Sequence, residues 1–341
     1  MKKVIIRSPY EVVLEEVANP EIDNNQFLVK TILTAISAGT ELTKYKGTNP
    51  GFLTGRYHYP TELGYEHVGE VVKVGRNVEN VSIGDRVVTT ARHAEYAVIN
   101  KDMPTIYDLY GILPENFNPE EAVFAPLTTI ATHTIHRSMI MLGDTVGIVG
   151  LGVVGMLTAQ VAKAAGASKV IGIDLLDSKL KIAKKLGVDV AINPNSTDIK
   201  ERVFEETDGQ GVDIAIESSG VAKAVGSALD IVRKRGKVVI EGFHAKPFEV
   251  SGEDILTKEL EIIGVRSSGG PDLSYEYIRW SAKANYQEAF RLIISGKVKC
   301  SPMITHRFKA EEINKAYEMI DKKKEDFLKV ILNWKQAQER L

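Results

Sequence analysis

The chain has 341 residues, enough for two domains or one large one. Hydrophobic residues make up 44 % and charged residues 26 %, the balance of an ordinary globular protein rather than a disordered or membrane-spanning one. The formal net charge of −2 argues against a nucleic-acid partner, which needs a basic excess.

The start, MKKVIIRSPYEVVLEEV, has two lysines but no apolar core for a signal peptide. Up to about residue 124 the runs KKVIIR, EVVLEEV, FLVKTILTAI, HVGEVVKVG, DRVVTT and EYAVI are β-branched and broken by Gly, Asn and Pro. They predict a compact, barrel-like β domain without long helices. From Glu121 to about Met139 the pattern turns helical, and then strands and helices alternate. Strands are expected at 145–149, 169–174, 190–193, 212–217, 237–243 and 260–266, with helices at 153–166, 177–187, 197–207, 221–235 and near 252–258. Such alternation specifies a doubly wound parallel sheet with helices on both faces, an α/β fold of the dinucleotide-binding kind. After residue 267 the rhythm stops. A helix (EAFRLIISG), the strand-like MITHRF, a helix (AEEINKAYEMIDKK) and the strand FLKVILNW close the chain. That end is too small for a third domain and is expected to pack onto the first. The single cysteine, Cys300, excludes an intrachain disulfide and fits a reducing cytoplasm.

Gly150-Leu-Gly152-Val153-Val154-Gly155 joins an apolar strand to a helix, and Asp174 ends the next strand. In this pattern the glycines permit a tight turn and close backbone approach, the helix N-terminus faces a pyrophosphate, and the carboxylate receives ribose hydroxyls. Asp174 would repel a 2′-phosphate, and Leu175 and Leu176 follow it rather than Arg, so NAD is favoured over NADP. Lys179, one turn on, is a candidate for the same ribose or a solvated helix lysine.

Five motifs carry a family resemblance: Ser37-Ala-Gly-Thr-Glu41, Gly64-Tyr-Glu-His-Val-Gly-Glu-Val71, Gly84-Asp-Arg-Val87, the loop at 150–155, and the run IGIDLLDSKLKIAKKLGVDVAINP. Over nearly its whole length the chain resembles the medium-chain dehydrogenase/reductase superfamily, nearest its alcohol, polyol and threonine dehydrogenases. The resemblance implies a GroES-like catalytic domain from residues 1–124 and 268–341, a Rossmann domain at 125–267, and an active site in the cleft between them. It also implies a homodimer or homotetramer. Thr129 matches a position near the reactive end of nicotinamide. Ser218, Val265 and Arg266, at strand ends of the Rossmann domain, are further cofactor candidates. Zinc-dependent relatives carry Cys and His ligands at positions that here are Ala38 and Tyr65, and a third ligand where this chain has Ala125. The four-cysteine structural lobe is also missing. Three side-chain donors are needed for a catalytic zinc, so no metal is expected. A replacement set of Glu41, Glu66, His67 and His93 is weakened because Glu66 and His67 are neighbours on a strand and point to opposite faces.

Without a metal, a side chain must move the alcohol proton, which general acid–base catalysis rewards with about 10²–10⁴ in rate. Tyr65 is the first candidate, with Lys44 as a nearby cation, Thr40 as a hydroxyl relay and Glu66 to orient a water or substrate hydroxyl. Glu66 reads equally as half of a structural ion pair, with Arg86 or another base. The expected function is zinc-independent, NAD-dependent interconversion of a secondary alcohol (a polyol, sugar derivative or cyclitol) and a ketone. Two alternatives remain: an enoyl or quinone reductase, and a non-catalytic nucleotide-binding protein. Fast NADPH-linked reduction of conjugated double bonds separates the first from the expectation. Tight NAD binding without turnover separates the second.

Overall fold

The computed structural model describes residues 1–106, 108–267, 269, 279–322 and 327–334. They form two compact units: Met1–Pro126 with the segment from Ile304 onward, and Leu127–Met303.

In the first unit, β1 (Lys2–Ser8), β2 (Glu11–Glu16), β3 (Gln26–Ile36), α1 (Ala38–Tyr45), α2 (Pro50–Leu53), β4 (Thr61–Glu62), β5 (His67–Val74), β6 (Arg86–Thr89), β7 (Tyr96–Asn100), β8 (Tyr110–Ile112) and α3 (Pro119–Ala122) precede α4 (Ala125–Ser138), which crosses the boundary between units. The β character is as expected, but helix α1 falls on the Ser37-Ala-Gly-Thr-Glu41 motif, where no helix was expected. Gly39 and Thr40 are weak helix formers, yet Glu41 is buried and its Oε1 accepts the Ser37 N–H at 2.8 Å, which closes the first turn.

The second unit contains β9 (Thr145–Val149), α5 (Val153–Ala165), β10 (Lys169–Ile173), α6 (Asp177–Lys185), β11 (Val190–Ile192), α7 (Ile199–Glu206), β12 (Val212–Glu217), α8 (Ala222–Ile231), β13 (Val232–Ile240), α9 (Gly252–Lys258), β14 (Glu261–Gly264) and α10 (Ala282–Ile294). Its sheet is parallel with order β11-β10-β9-β12-β13-β14. That order reverses at β9/β12, where ligands bind at the strands' carboxyl ends. The central strands β9, β10 and β12 are buried on both faces, which explains their continuous Val/Ile runs.

The chain returns to the first unit through β15 (Ile304–Lys309), α11 (Ile313–Lys322) and β16 (Lys329–Asn333). β16 pairs antiparallel with β3, completing a seven-stranded sheet of order β15-β16-β3-β5-β6-β8, with β7 also on β3. α11 packs Ile313, Ala316, Tyr317 and Ile320 into the core with Val4, Ile36 and Val330. One expected boundary is corrected. The segment from 268 was assigned to the first domain, but 279–303 groups with the second unit. Asn285 on α10 binds His136 on α4 at 2.8 Å, and Lys299 bonds Gln160 on α5 in both directions, at 2.8 and 3.1 Å. Residues 268 and 270–278 lie outside the described residues.

Candidate functional site

In the second unit the loop after β9 has the geometry the glycines require. Gly150 has φ +102°, and a Cβ there would fall 2.7 Å from Ser219. A Cβ at Gly155 would fall 2.0 Å from the Gly150 carbonyl oxygen, so α5 can pack on the loop only with glycine there. At Gly152, the N-cap of α5, a Cβ would meet nothing within 4 Å. That open space at a helix N-terminus, with Val153 and Val154 in the first turn, fits a pyrophosphate. Asp174 follows β10. Its Oδ2 accepts the Leu151 N–H at 2.8 Å and its Oδ1 the Leu176 N–H at 3.0 Å, so the carboxylate is fixed beside the loop. Lys179 Nζ lies 3.9 Å from it. Ser218 follows β12 with its N–H on Val149 O at 2.9 Å, and Val265 follows β14 with its N–H on Ile240 O at 3.0 Å. Thr129 is buried on α4, and Arg266 is exposed. The second unit thus brings the phosphate loop, Asp174 and Lys179 together. Gly155→Ala is expected to displace the loop, costing about 1–3 kcal/mol as overpacking does. Gly152→Ala should leave the melting temperature near wild type yet weaken dinucleotide binding about tenfold, the equivalent of 1.4 kcal/mol. Thermal melts and calorimetric titration check the pair.

Residues not singled out in advance also bind here. Glu217 is buried, with Oε1 accepting from the Ser219 N–H (2.8 Å) and the Gly220 N–H (2.9 Å), and Oε2 2.8 Å from His244 Nε2. It therefore holds the backbone that follows β12. A charged residue ending the apolar run VDIAI was the available signal.

In the first unit three of the four catalytic candidates gather near the start of α1. The Tyr65 hydroxyl is hydrogen-bonded to Ser37 Oγ, and Thr40 lies beside it, close enough to favour the phenolate. Burial and the neighbouring Glu66 push the Tyr65 phenol well above its ordinary value, so it stays protonated at neutral pH. Glu66 is fully buried. Lys329 Nζ from β16 lies 2.7 Å from both its oxygens and also donates to Ile36 O at 3.3 Å. Burial raises the Glu66 pKa to about 7 even though Lys329 opposes the shift. The expected partner Arg86 is corrected: it donates instead to Phe117 O (3.1 Å) and Pro114 O (3.2 Å). Lys44 is corrected too. Among the described residues no hydrogen bond or ion pair joins it to Tyr65, and its Nζ sits 4.1 Å from the centroid of the Tyr57 ring. The segment 57–59 holds this lysine: the Tyr59 hydroxyl donates to Lys44 O at 2.7 Å.

The implied zinc can be tested against these donors. Glu41 is buried with His93 Nε2 3.0 Å from Oε2, the Tyr317 hydroxyl on the same oxygen and the Ser37 N–H on the other. Burial alone would raise its pKa, but these partners hold it below the ordinary carboxylate value. His67 is saturated by Thr31 Oγ1 at 2.9 Å and Thr89 Oγ1 at 2.8 Å, and burial pulls its pKa down to about 3. Glu66 is held by Lys329. Among the described residues no three His, Cys, Asp or Glu side chains group as metal ligands. In this arrangement the donors are engaged by Lys329, Tyr317 and two threonines, while among the described residues Glu66 Oε2 and His93 Nδ1 carry no hydrogen bond.

Comparison with known proteins adds the lineage. Residues 23–139 match the alcohol dehydrogenase GroES-like domain model, and residues 153–283 match the zinc-binding dehydrogenase model. The chain is 30 % identical to an L-threonine 3-dehydrogenase of Pyrococcus abyssi, covering 91 % of this chain and 92 % of that protein. It is 29 % identical to a sorbitol dehydrogenase of Halalkalibacterium halodurans, covering 94 % of each. Identity is also 29 % to a D-arabitol-phosphate dehydrogenase of Enterococcus avium, over 88 % of each. The solved alcohol dehydrogenase TADH from Thermus sp. ATN1 superposes with a TM-score of 0.80 at 25 % identity, covering 98 % of this chain and 99 % of that one. With a GroES-like domain, a Rossmann sheet and relatives of this kind along nearly its full length, the chain belongs to the medium-chain dehydrogenase/reductase family.

Proposed function

We propose that the protein is an NAD-dependent, zinc-independent dehydrogenase that interconverts a secondary alcohol of the polyol class and its ketone. The observation that carries the reading is the open Gly152 cradle with the Asp174 carboxylate fixed beside it. A 2′-phosphate there would face a carboxylate followed by Leu175 and Leu176 rather than an arginine, which supports NAD over NADP. The relatives named as sorbitol and D-arabitol-phosphate dehydrogenases support a polyhydroxylated substrate.

Held by the 150–155 loop and Asp174, NAD would supply a hydride acceptor for the carbinol carbon. The hydroxyl proton must leave as the ketone forms. We assign its path to Tyr65, Ser37 and Thr40. The Tyr65 phenol is too weak an acid to wait as phenolate, so each hydroxyl gives up its proton as it takes one. Thr40 is only half-buried and delivers the proton to water. In the reverse direction the protonated Tyr65 donates to the carbonyl oxygen. Glu66 and Lys329 set the charge beside the relay. Self-association is assigned to β14, which among the described residues pairs only with β13 and leaves Ile262 exposed. No helix among the described residues is long and apolar enough to cross a membrane, and a cytoplasmic site of action is part of the proposal.

Turnover with NAD should survive dialysis against a chelator, with far less than one zinc per chain by elemental analysis. Asp174→Ala should raise the KM for NAD about tenfold, one 1.4 kcal/mol step, and narrow the preference over NADP. Activity lost on chelation and restored by zinc, or an NADP preference in the wild type, would sink the reading.

A further inference from the structure

Lys44 is a buried cation without an acceptor. It lies in the last turn of α1 with a relative exposure of 6 %. Among the described residues its Nζ has no hydrogen-bond acceptor or ion pair, only the face of Tyr57 at 4.1 Å. A desolvated ammonium is expensive unless it is paired. Two further cations stand close to it, Arg56 and Arg92, beside two carboxylates, Glu41 and Glu62. Arg56 Cζ lies 5.5 Å from the centroid of the same Tyr57 ring and makes no ion pair among the described residues. Arg92, anchored on Gly64 O at 3.0 Å, is close enough to repel Lys44. The nearby carboxylates are occupied: Glu62 by Lys3 at 2.5 Å and Glu41 by His93 and Tyr317. Burial first, and then the two arginines, lower the Lys44 pKa to about 8, which still leaves it mostly charged at neutral pH. The backbone is held for this arrangement: the Tyr59 hydroxyl fixes the carbonyl of Lys44.

Resting on the polyol reading above, we propose that Lys44, Arg56 and Arg92 receive the phosphate of a phosphorylated polyol. A phosphate monoester dianion supplies acceptors for an ammonium and for guanidinium forks, and it removes the mutual repulsion of three cations. Tyr57, between two of them, provides an apolar floor that keeps water from competing.

The experiment has two arms. In the first, initial rates with NAD compare D-arabitol with its 1-phosphate and sorbitol with its 6-phosphate. Hydrogen bonds to a charged group are worth about 1.5–3 kcal/mol, so kcat/KM should favour the phosphate at least about tenfold. Lys44→Met and Arg56→Ala should each collapse that ratio toward one, and Arg56→Lys should keep most of it. In the second arm, which needs no turnover, inorganic phosphate at matched ionic strength should raise the melting temperature of wild type but not of Lys44→Met. Arg56 is exposed, so its alanine variant keeps the test open if Lys44→Met fails to fold. Equal rates with both substrate forms, or a phosphate shift untouched by either substitution, overturn the proposal while leaving the polyol reading standing. A phosphate shift lost in both variants, with no oxidation of any polyol, supports the anion site and sinks the polyol reading instead.

Discussion

Lys329→Ala is expected to cost about 3–5 kcal/mol of stability at pH 8, the largest effect of any single substitution considered. Removing one partner of a buried ion pair leaves the other uncompensated. Glu66 is fully buried, and Lys329 is its partner at 2.7 Å. The pH dependence follows from the sign of the shift. The Glu66 pKa is raised from 4.5 to about 7, so its stabilising contribution is complete below 4.5 and is lost as pH rises through 7. Without Lys329, which opposes that rise, the carboxyl is pushed higher still. The penalty of Lys329→Ala should therefore shrink markedly at pH 5, where Glu66 is protonated in the folded protein. Replacing both partners, Glu66→Gln with Lys329→Met, should recover most of the loss, since apolar substitutes for buried pairs are often neutral. Trp334 donates its indole N–H to Thr34 Oγ1 at 2.9 Å within the first unit. In a Trp280→Phe background it reports that unit's unfolding in denaturant. A loss under 1 kcal/mol at pH 8, or one that does not vary with pH, would show that the pair is not held as described.

The Glu66–Lys329 pair also shows where sequence reading stopped. The Rossmann half was legible because its signals are local: buried β-branched runs, glycines at fixed spacing, and an acid ending the next strand. Each of those glycines can be justified from its own neighbourhood, as Gly155 against Gly150 O shows. The first unit draws its site from both chain ends. Glu66 and Lys329 are 263 residues apart, and nothing near Glu66 names its partner. Arg86 was the near guess, but it serves backbone carbonyls instead. The available hint was one lysine inside the apolar run FLKVILNW, which on strand β16 must find a buried acid. Helix α1 was hidden for the same reason. Gly39 and Thr40 argue against a helix, and the tie that closes it, Glu41 to His93 and Tyr317, is tertiary. Tertiary contacts of this kind override weak local propensity.

Tyr65→Phe should lower kcat about 10²–10³-fold, within the span of general acid–base catalysis, and leave KM for the alcohol within a few-fold. The geometry explains why the loss should be kinetic rather than structural. The hydroxyl bonds Ser37 and neighbours Thr40, small side chains that can rebond to water, so the fold loses about one hydrogen bond, roughly 1 kcal/mol. Chemistry loses more. No other hydroxyl bridges these two partners in the described cluster. Glu66, the group titrating near neutrality, is held by Lys329 and, among the described residues, makes no hydrogen bond to the relay hydroxyls. Ser37→Ala should fall between wild type and Tyr65→Phe, because Thr40 still receives the proton. A solvent isotope effect on kcat, present in wild type, should be altered in both variants if proton transfer through the hydroxyls limits turnover. A merely structural Tyr65 would instead shift the melting temperature and leave kcat and the isotope effect alone. If the phenylalanine variant turns over within twofold of wild type, the relay does not run through Tyr65. The proton must then leave by a group outside this cluster, even though the nucleotide site and the polyol preference would be unaffected.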